Sequence, residues 1–235
     1  RVRATDGTNF SGYSNTATAT TSSAPPPPIT FIQGHYSNPQ TPQSSVPVTF
    51  TLAQGAGDLN VVIVGWNDST AIVKTVTDTV GNTYTAALLP TVQSGTASQV
   101  IYYAKNIAGA AANANTVTVA FNGSAVFPDI RILEYAGIDV TSPVDVTAAS
   151  SGSSATSSSG AVTTLNANDL IIGANLVQTG TTGAGAGFTS RMITNPDSDI
   201  VEDRIVTATG SYTATAPVSP SAQWIMQLVA FRRHP

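Results

Sequence analysis

The chain is expected to be all-β: a β-sandwich with an internally duplicated body and an extended N-terminal strand tail. Three observations carry this expectation. Segments such as Ser45-Val46-Pro47-Val48-Thr49-Phe50-Thr51-Leu52 alternate between apolar and polar with period two. No long segment shows helical apolar spacing. Turn signals such as Val80-Gly81-Asn82-Thr83 separate the β-rich runs.

Three regions follow in order: a tail over residues 1–24, a Pro-Pro-Pro-Pro linker over 25–28, and a sandwich body over 29–235. The linker is held near polyproline II, a stiff spacer of about 12 Å. In the body, Leu59 to Trp66 (LNVVIVGW) is almost continuously apolar, as expected of a central strand buried on both faces. Ile72 to Asp78 alternates. Ser98 to Lys105 (SQVIYYAK), Thr116 to Phe121 (TVTVAF) and Ile130 to Tyr135 (IRILEY) read as further strands. Ile107 to Asn115 is Ala-rich, but its glycine and asparagines favour a loop. Residues 148–160 (AASSGSSATSSSG) have the composition of a linker. The flanking halves are alike, however, which argues against a domain boundary there. Ala161 to Leu176 echoes Val48 to Trp66, with Asp169-Leu170 matching Asp58-Leu59, and Met226 to Phe231 echoes Ile130 to Tyr135. The reading is one interleaved sandwich of jelly-roll type closed by its C-terminal strand. In this the body resembles the sandwich modules of bacterial secreted and surface proteins.

Arg1 to Asp6 reads RVRATD and Ser11 to Thr21 reads SGYSNTATATT. These motifs resemble the last two strands of a fibronectin type III domain, over about a tenth of the chain. The resemblance implies a neighbouring sandwich, and a further segment is expected upstream of Arg1. Two strands alone are marginal in water and leave unpaired edges. No charge occurs between Asp6 and the end of the linker. Val2, Ala4, Tyr13, Asn15, Ala17 and Ala19 are the candidate interface residues of a strand that joins another sheet. If that sheet belongs to the next copy of the chain, the contact is head-to-tail and builds an open homopolymer.

Composition limits the partners. Charged residues are 9% of the chain and the net charge is −4, which argues against nucleic acid. No apolar run approaches the roughly 18 residues of a membrane span. With no cysteine, disulfides and thiolate metal sites are excluded. The Thr-, Ser- and Asn-rich composition is associated with extracellular and cell-surface β proteins.

Candidate chemistry is sparse. His35 is the one histidine away from the C-terminus, and no G-x-S-x-G elbow accompanies it. The pattern names no catalytic residue and no required cofactor. Asp197, Asp199, Glu202 and Asp203 place four carboxylates within seven residues, the oxygen-rich donor set that calcium takes. The alternative is a solvated loop paired with Arg191 or Arg204. Glu134 lies on a strand, sharing a face with Ile132, where a glycoside hydrolase could carry its acid, but Arg131 offers it a structural salt bridge. Trp66, Tyr102 and Tyr103 are the candidate sugar-stacking residues, and one of the two adjacent tyrosines faces outward if both lie in a strand. Asn67-Asp68-Ser69 and Asn122-Gly123-Ser124 fit the N-glycosylation pattern. The expected function is an extracellular filament or surface-fibre subunit. The alternative is a carbohydrate-binding or adhesion module of a larger secreted protein.

Overall fold

The computed structural model describes residues 1–16, 18 and 25–235. The first half of the body supplies β1 (Thr30–Ser37), β2 (Gln43–Thr49), β3 (Leu59–Trp66), β4 (Val73–Asp78), the short β5 (Thr85–Ala86) and β6 (Thr91–Gln93), β7 (Ala97–Ala104), β8 (Thr116–Ala125) and β9 (Asp129–Ala136). The second half supplies β10 (Val144–Ser158), β11 (Val162–Thr163), β12 (Asp169–Val177), β13 (Thr189–Ile193), β14 (Ile200–Ile205), β15 (Ser211–Tyr212) and β16 (Thr215–Arg232). The described residues contain no helix, hence none long and apolar enough to cross a membrane.

The chain is all-β, and its strands form antiparallel sheets stacked as sandwiches. One large sheet runs β1-β9-β3-β7-β5, with β6 also on β7; the other runs β10-β16-β12-β14-β13. They face each other across Leu59, Val61, Ile63, Leu133 and Tyr135 on one side and Leu170, Ile172, Val201, Val229 and Phe231 on the other. The outer face of the first sheet is covered by a three-stranded sheet, β2-β8-β4, through Val46, Val48, Val62, Val64, Trp66, Val117 and Val119. The outer face of the second is covered by the β11-β15 ribbon and neighbouring residues, with Ile171, Met226 and Leu228 packed against Ala214, Val162 and Tyr212. This layering explains the LNVVIVGW run. All eight residues of β3 are buried because alternate side chains enter two different cores. All nine residues of β12 are buried in the same way.

The duplication is visible in the register. Leu59 pairs with Tyr135 as Leu170 pairs with Phe231. Val64 pairs with Ile130 as Asn175 pairs with Met226. The strand orders β1-β9-β3-β7 and β10-β16-β12-β14 therefore match position by position. Two expectations are corrected. The halves are not interleaved, since each large sheet is drawn wholly from one half: the last long strand of each repeat returns to pair inside its own repeat, β9 between β1 and β3 and β16 between β10 and β12. Nor does the C-terminal strand close an edge, because β16 lies between β10 and β12.

The low-complexity stretch is most of strand β10, zipped along β16 from Val144↔Phe231 to Ser158↔Thr215. Its small side chains serve packing. A Cβ on Gly152 would stand 2.7 Å from Cζ2 of Trp224, and the Trp224 indole N–H donates to Ser154 Oγ at 2.9 Å.

The linker is anchored where it meets the body. The Arg233 Nε–H donates to the Pro27 carbonyl at 2.9 Å, and its guanidinium also reaches the Pro26 carbonyl. Pro28 rests on Gly137, whose φ is +79° and whose Cβ position lies 2.3 Å from the Pro28 oxygen. A side chain there would meet backbone and left-handed strain together. Gly137→Ala is expected to lower stability by at least about 1–2 kcal/mol, read by urea denaturation. An unchanged midpoint would show that the linker is not seated on this turn.

Candidate functional site

Strand ends gather at one edge of the two facing large sheets. β3 ends at Trp66 and β12 at Val177, so Asn67 and Gln178 follow them as equivalent positions of the two halves. They meet: Gln178 Nε2 donates to Asn67 Oδ1 at 3.1 Å. The β8–β9 turn brings Phe127, the β13–β14 turn brings Asp197 and Asp199, and the β1–β2 loop brings Gln40. Together these line a polar pocket of about 240 Å³. Asp197 is held in place by Asn38 Nδ2 at 3.2 Å and Gln40 Nε2 at 2.8 Å. Phe127 is exposed, with φ +43°. A bulky residue in the left-handed region is an outlier, and more so before a proline, which favours extended backbone.

Beneath the pocket lies a buried polar core. Asp199 Oδ1 accepts from the Val177 N–H at 2.7 Å, and Asp129 Oδ2 accepts from Thr194 Oγ1 at 2.8 Å. Burial pushes both carboxyls upward, Asp199 strongly, and the two are hydrogen-bonded to each other. A proton shared by the pair supplies the hydrogen bond that Asp129 Oδ1 and Asp199 Oδ2 otherwise lack. Arg131 lies beside them, its Nε 3.2 Å from Asp129 Oδ1.

The acidic run does not form one site. Asp197 lines the pocket and Asp199 is buried at its base. Glu202 and Asp203 are neighbours on β14 and so point to opposite faces. Asp203 accepts from Tyr135 Oη at 2.8 Å and Arg191 Nε at 2.6 Å. Glu202 accepts from the Gly185 N–H at 2.6 Å. Burial pushes the Glu202 carboxyl up to about 7. Among the described residues no group of three or more His, Asp or Glu is placed to hold a metal ion, so the calcium expectation for Asp197, Asp199, Glu202 and Asp203 is corrected. Of the two arginines proposed as partners, Arg191 takes the role.

The aromatic candidates also divide. Trp66 and Tyr102 line a common groove with Ile72, Val73, Pro90 and Val92. Trp66 is 2% exposed, however, and stands edge-on to Phe121 at 5.5 Å, so it presents no free ring face to a sugar. Tyr103 points to the other side of the sheet, against Phe231 at 5.9 Å.

Glu134 is not paired with Arg131, which faces the second sheet. It accepts from Gln33 Nε2 at 2.6 Å and from the Gly55 N–H at 3.0 Å. It is also hydrogen-bonded to Asp58, whose carboxyl is pushed up to about 7 by burial and then by the Glu134 charge. Asp58 was not singled out in the sequence as its partner. Hydrogen-bonded carboxyls stand closer than the roughly 5 Å of a retaining glycosidase pair. His35 is exposed on β1.

The tail strands pair with each other. The Ser14 N–H donates to the Val2 carbonyl at 2.8 Å and the Ser11 N–H to the Ala4 carbonyl at 2.9 Å, with Thr5 bridging Phe10. The Arg3 guanidinium sits 3.8 Å from the Phe10 ring centroid and 5.1 Å from that of Tyr13. Residues 1–16, including Val2, Ala4, Tyr13 and Asn15, are exposed. Ala17 and Ala19 lie outside the described residues. The chain matches no family model, no curated protein and no solved structure.

Proposed function

We propose that the body is an extracellular carbohydrate-binding or adhesion module of a larger secreted or surface protein, presented behind a fibronectin-type domain and a proline spacer. One observation carries this reading: residues 1–16 form a ribbon whose described hydrogen bonds stay within the ribbon, while the linker is fastened to the body by Arg233. The last two strands of a fibronectin type III sandwich pair in the same antiparallel fashion. A two-stranded ribbon needs a third strand or a covering sheet to be stable, so this ribbon belongs with a sheet other than those of the body.

A second reading has its own support. Val2, Phe10 and Tyr13 are 76%, 61% and 63% exposed, and such a ribbon can join the sheet of another copy, building a head-to-tail fibre. Sedimentation velocity and negative-stain microscopy of the 1–235 chain and of a variant lacking residues 1–24 separate the two. The module reading expects monomers from both, with fast hydrogen exchange over residues 1–16 of the longer chain. Fibres formed by 1–235 and lost on truncation would replace it with the polymer.

A further inference from the structure

We propose that the polar pocket at the joint of the two halves binds one ring of an uncharged saccharide. This rests on the reading of the body as a binding module and names its site and ligand class. The lining supplies what a sugar hydroxyl needs. Asp197 accepts, while the amides of Asn67, Gln178 and Gln40 both donate and accept. No Lys or Arg lines the pocket, so an anion finds no countercharge there. No described carboxylate cluster suits a cation either. Phe127, a partly exposed residue, adds an aromatic side chain to the lining, and sugar C–H faces stack on such rings.

Two features mark a built site rather than an accidental gap. The polar groups are held before any ligand arrives: Asp197 by Asn38 and Gln40, Asn67 by Gln178. Backbone strain is also retained at the one aromatic position, φ +43° at Phe127, and such outliers gather at functional sites. The same edge draws loops from both halves, so neither half could form the pocket alone.

The test is an amide-resolved NMR titration of the full chain with glucose, galactose, mannose and N-acetylglucosamine, beside a glycan array. Binding is expected to shift the amides of Asn67, Phe127, Gln178 and Asp197. Asp197→Asn should weaken it by about tenfold or more, because a charged acceptor is lost. Phe127→Gly should weaken it too while leaving the melting temperature unchanged or raised, since glycine accepts the positive φ. Shifts centred elsewhere, or both variants binding like the wild type, would overturn the pocket and leave the module reading standing. Silence from all four sugars and the array would overturn both the pocket and the sugar-binding form of that reading.

Discussion

Arg131→Met should cost about 3–5 kcal/mol of folding stability, the loss expected when one partner is removed from a buried ionic network. Arg131 is wholly buried between the two large sheets. Its Nη1 donates to the Asn175 and Ile200 carbonyls at 2.8 and 3.0 Å, and its Nη2 to Gln99 Oε1 at 3.1 Å. These bonds tie β9 in the first sheet to β12 and β14 in the second. Beside it are two carboxyls and, by the sharing argued above, one retained proton, so the cluster is neutral with the guanidinium in place. Methionine fills most of the volume but takes the guanidinium donor away from three buried acceptors and leaves the remaining carboxylate charge uncompensated. Urea denaturation of Arg131→Met, Asp129→Asn and the double variant measures this. The double variant should be less destabilised than the sum of the singles, because removing the acid relieves the stranded charge. A loss below about 1 kcal/mol for Arg131→Met would show that the network does not hold the sheets together.

Much of the fold was legible because burial on two faces leaves a plain trace. The unbroken LNVVIVGW run and its counterpart at Asp169–Val177 locate the centre of each large sheet. The Asp58-Leu59 and Asp169-Leu170 match fixed their equivalence, and the observed pairing of Leu59 with Tyr135 and of Leu170 with Phe231 agrees with it. Strand β10 was hidden. Its alternation is between serine, alanine and glycine, so a hydrophobicity pattern cannot find it, and the bulk of Trp224 explains the glycine at 152 only once the partner strand is known. The acidic run misled because spacing along a strand says nothing of facing: Glu202 and Asp203 diverge by one residue of pleat. The polar pocket left almost no trace. Gln40, Asn67, Phe127, Gln178 and Asp197 are scattered along the chain and meet only through topology. One signal was available: Asn67 and Gln178 stand equally far beyond Leu59 and Leu170, so the repeat that aligned the strands also aligned the two residues that touch.

Stability should fall as pH rises from about 5 to 8, with the melting temperature dropping by on the order of 10 °C. Asp58, Asp169 and Glu202 each have a carboxyl pushed up to about 7 in the folded chain, in each case first by burial. Asp169 is raised further by its hydrogen bond to Asp145 and by the Asp145 charge. Unfolded, these groups titrate near 4. Between the two values the native state therefore binds more protons than the unfolded state, and the stability slope with pH is negative. The advantage is fully present below the unfolded pKa and is lost as pH climbs through the folded one. The Asp129–Asp199 pair acts in the same direction. Asp68, Asp139 and Asp145 oppose it, being held below the usual carboxylate range with backbone N–H donors on each; their contribution is lost as pH falls below about 4. The two sets place the maximum in mildly acidic solution. Melting curves across this range test the sign, and proton uptake on refolding near pH 6 should be about four, from the three carboxyls and the proton retained by the Asp129–Asp199 pair. Asp58→Asn and Asp169→Asn supply a neutral group where the fold keeps a protonated one, so the double variant should flatten the slope while holding stability at pH 5. Melting temperatures that rise from pH 5 to 8 would mean that these carboxyls are ionised in the native chain.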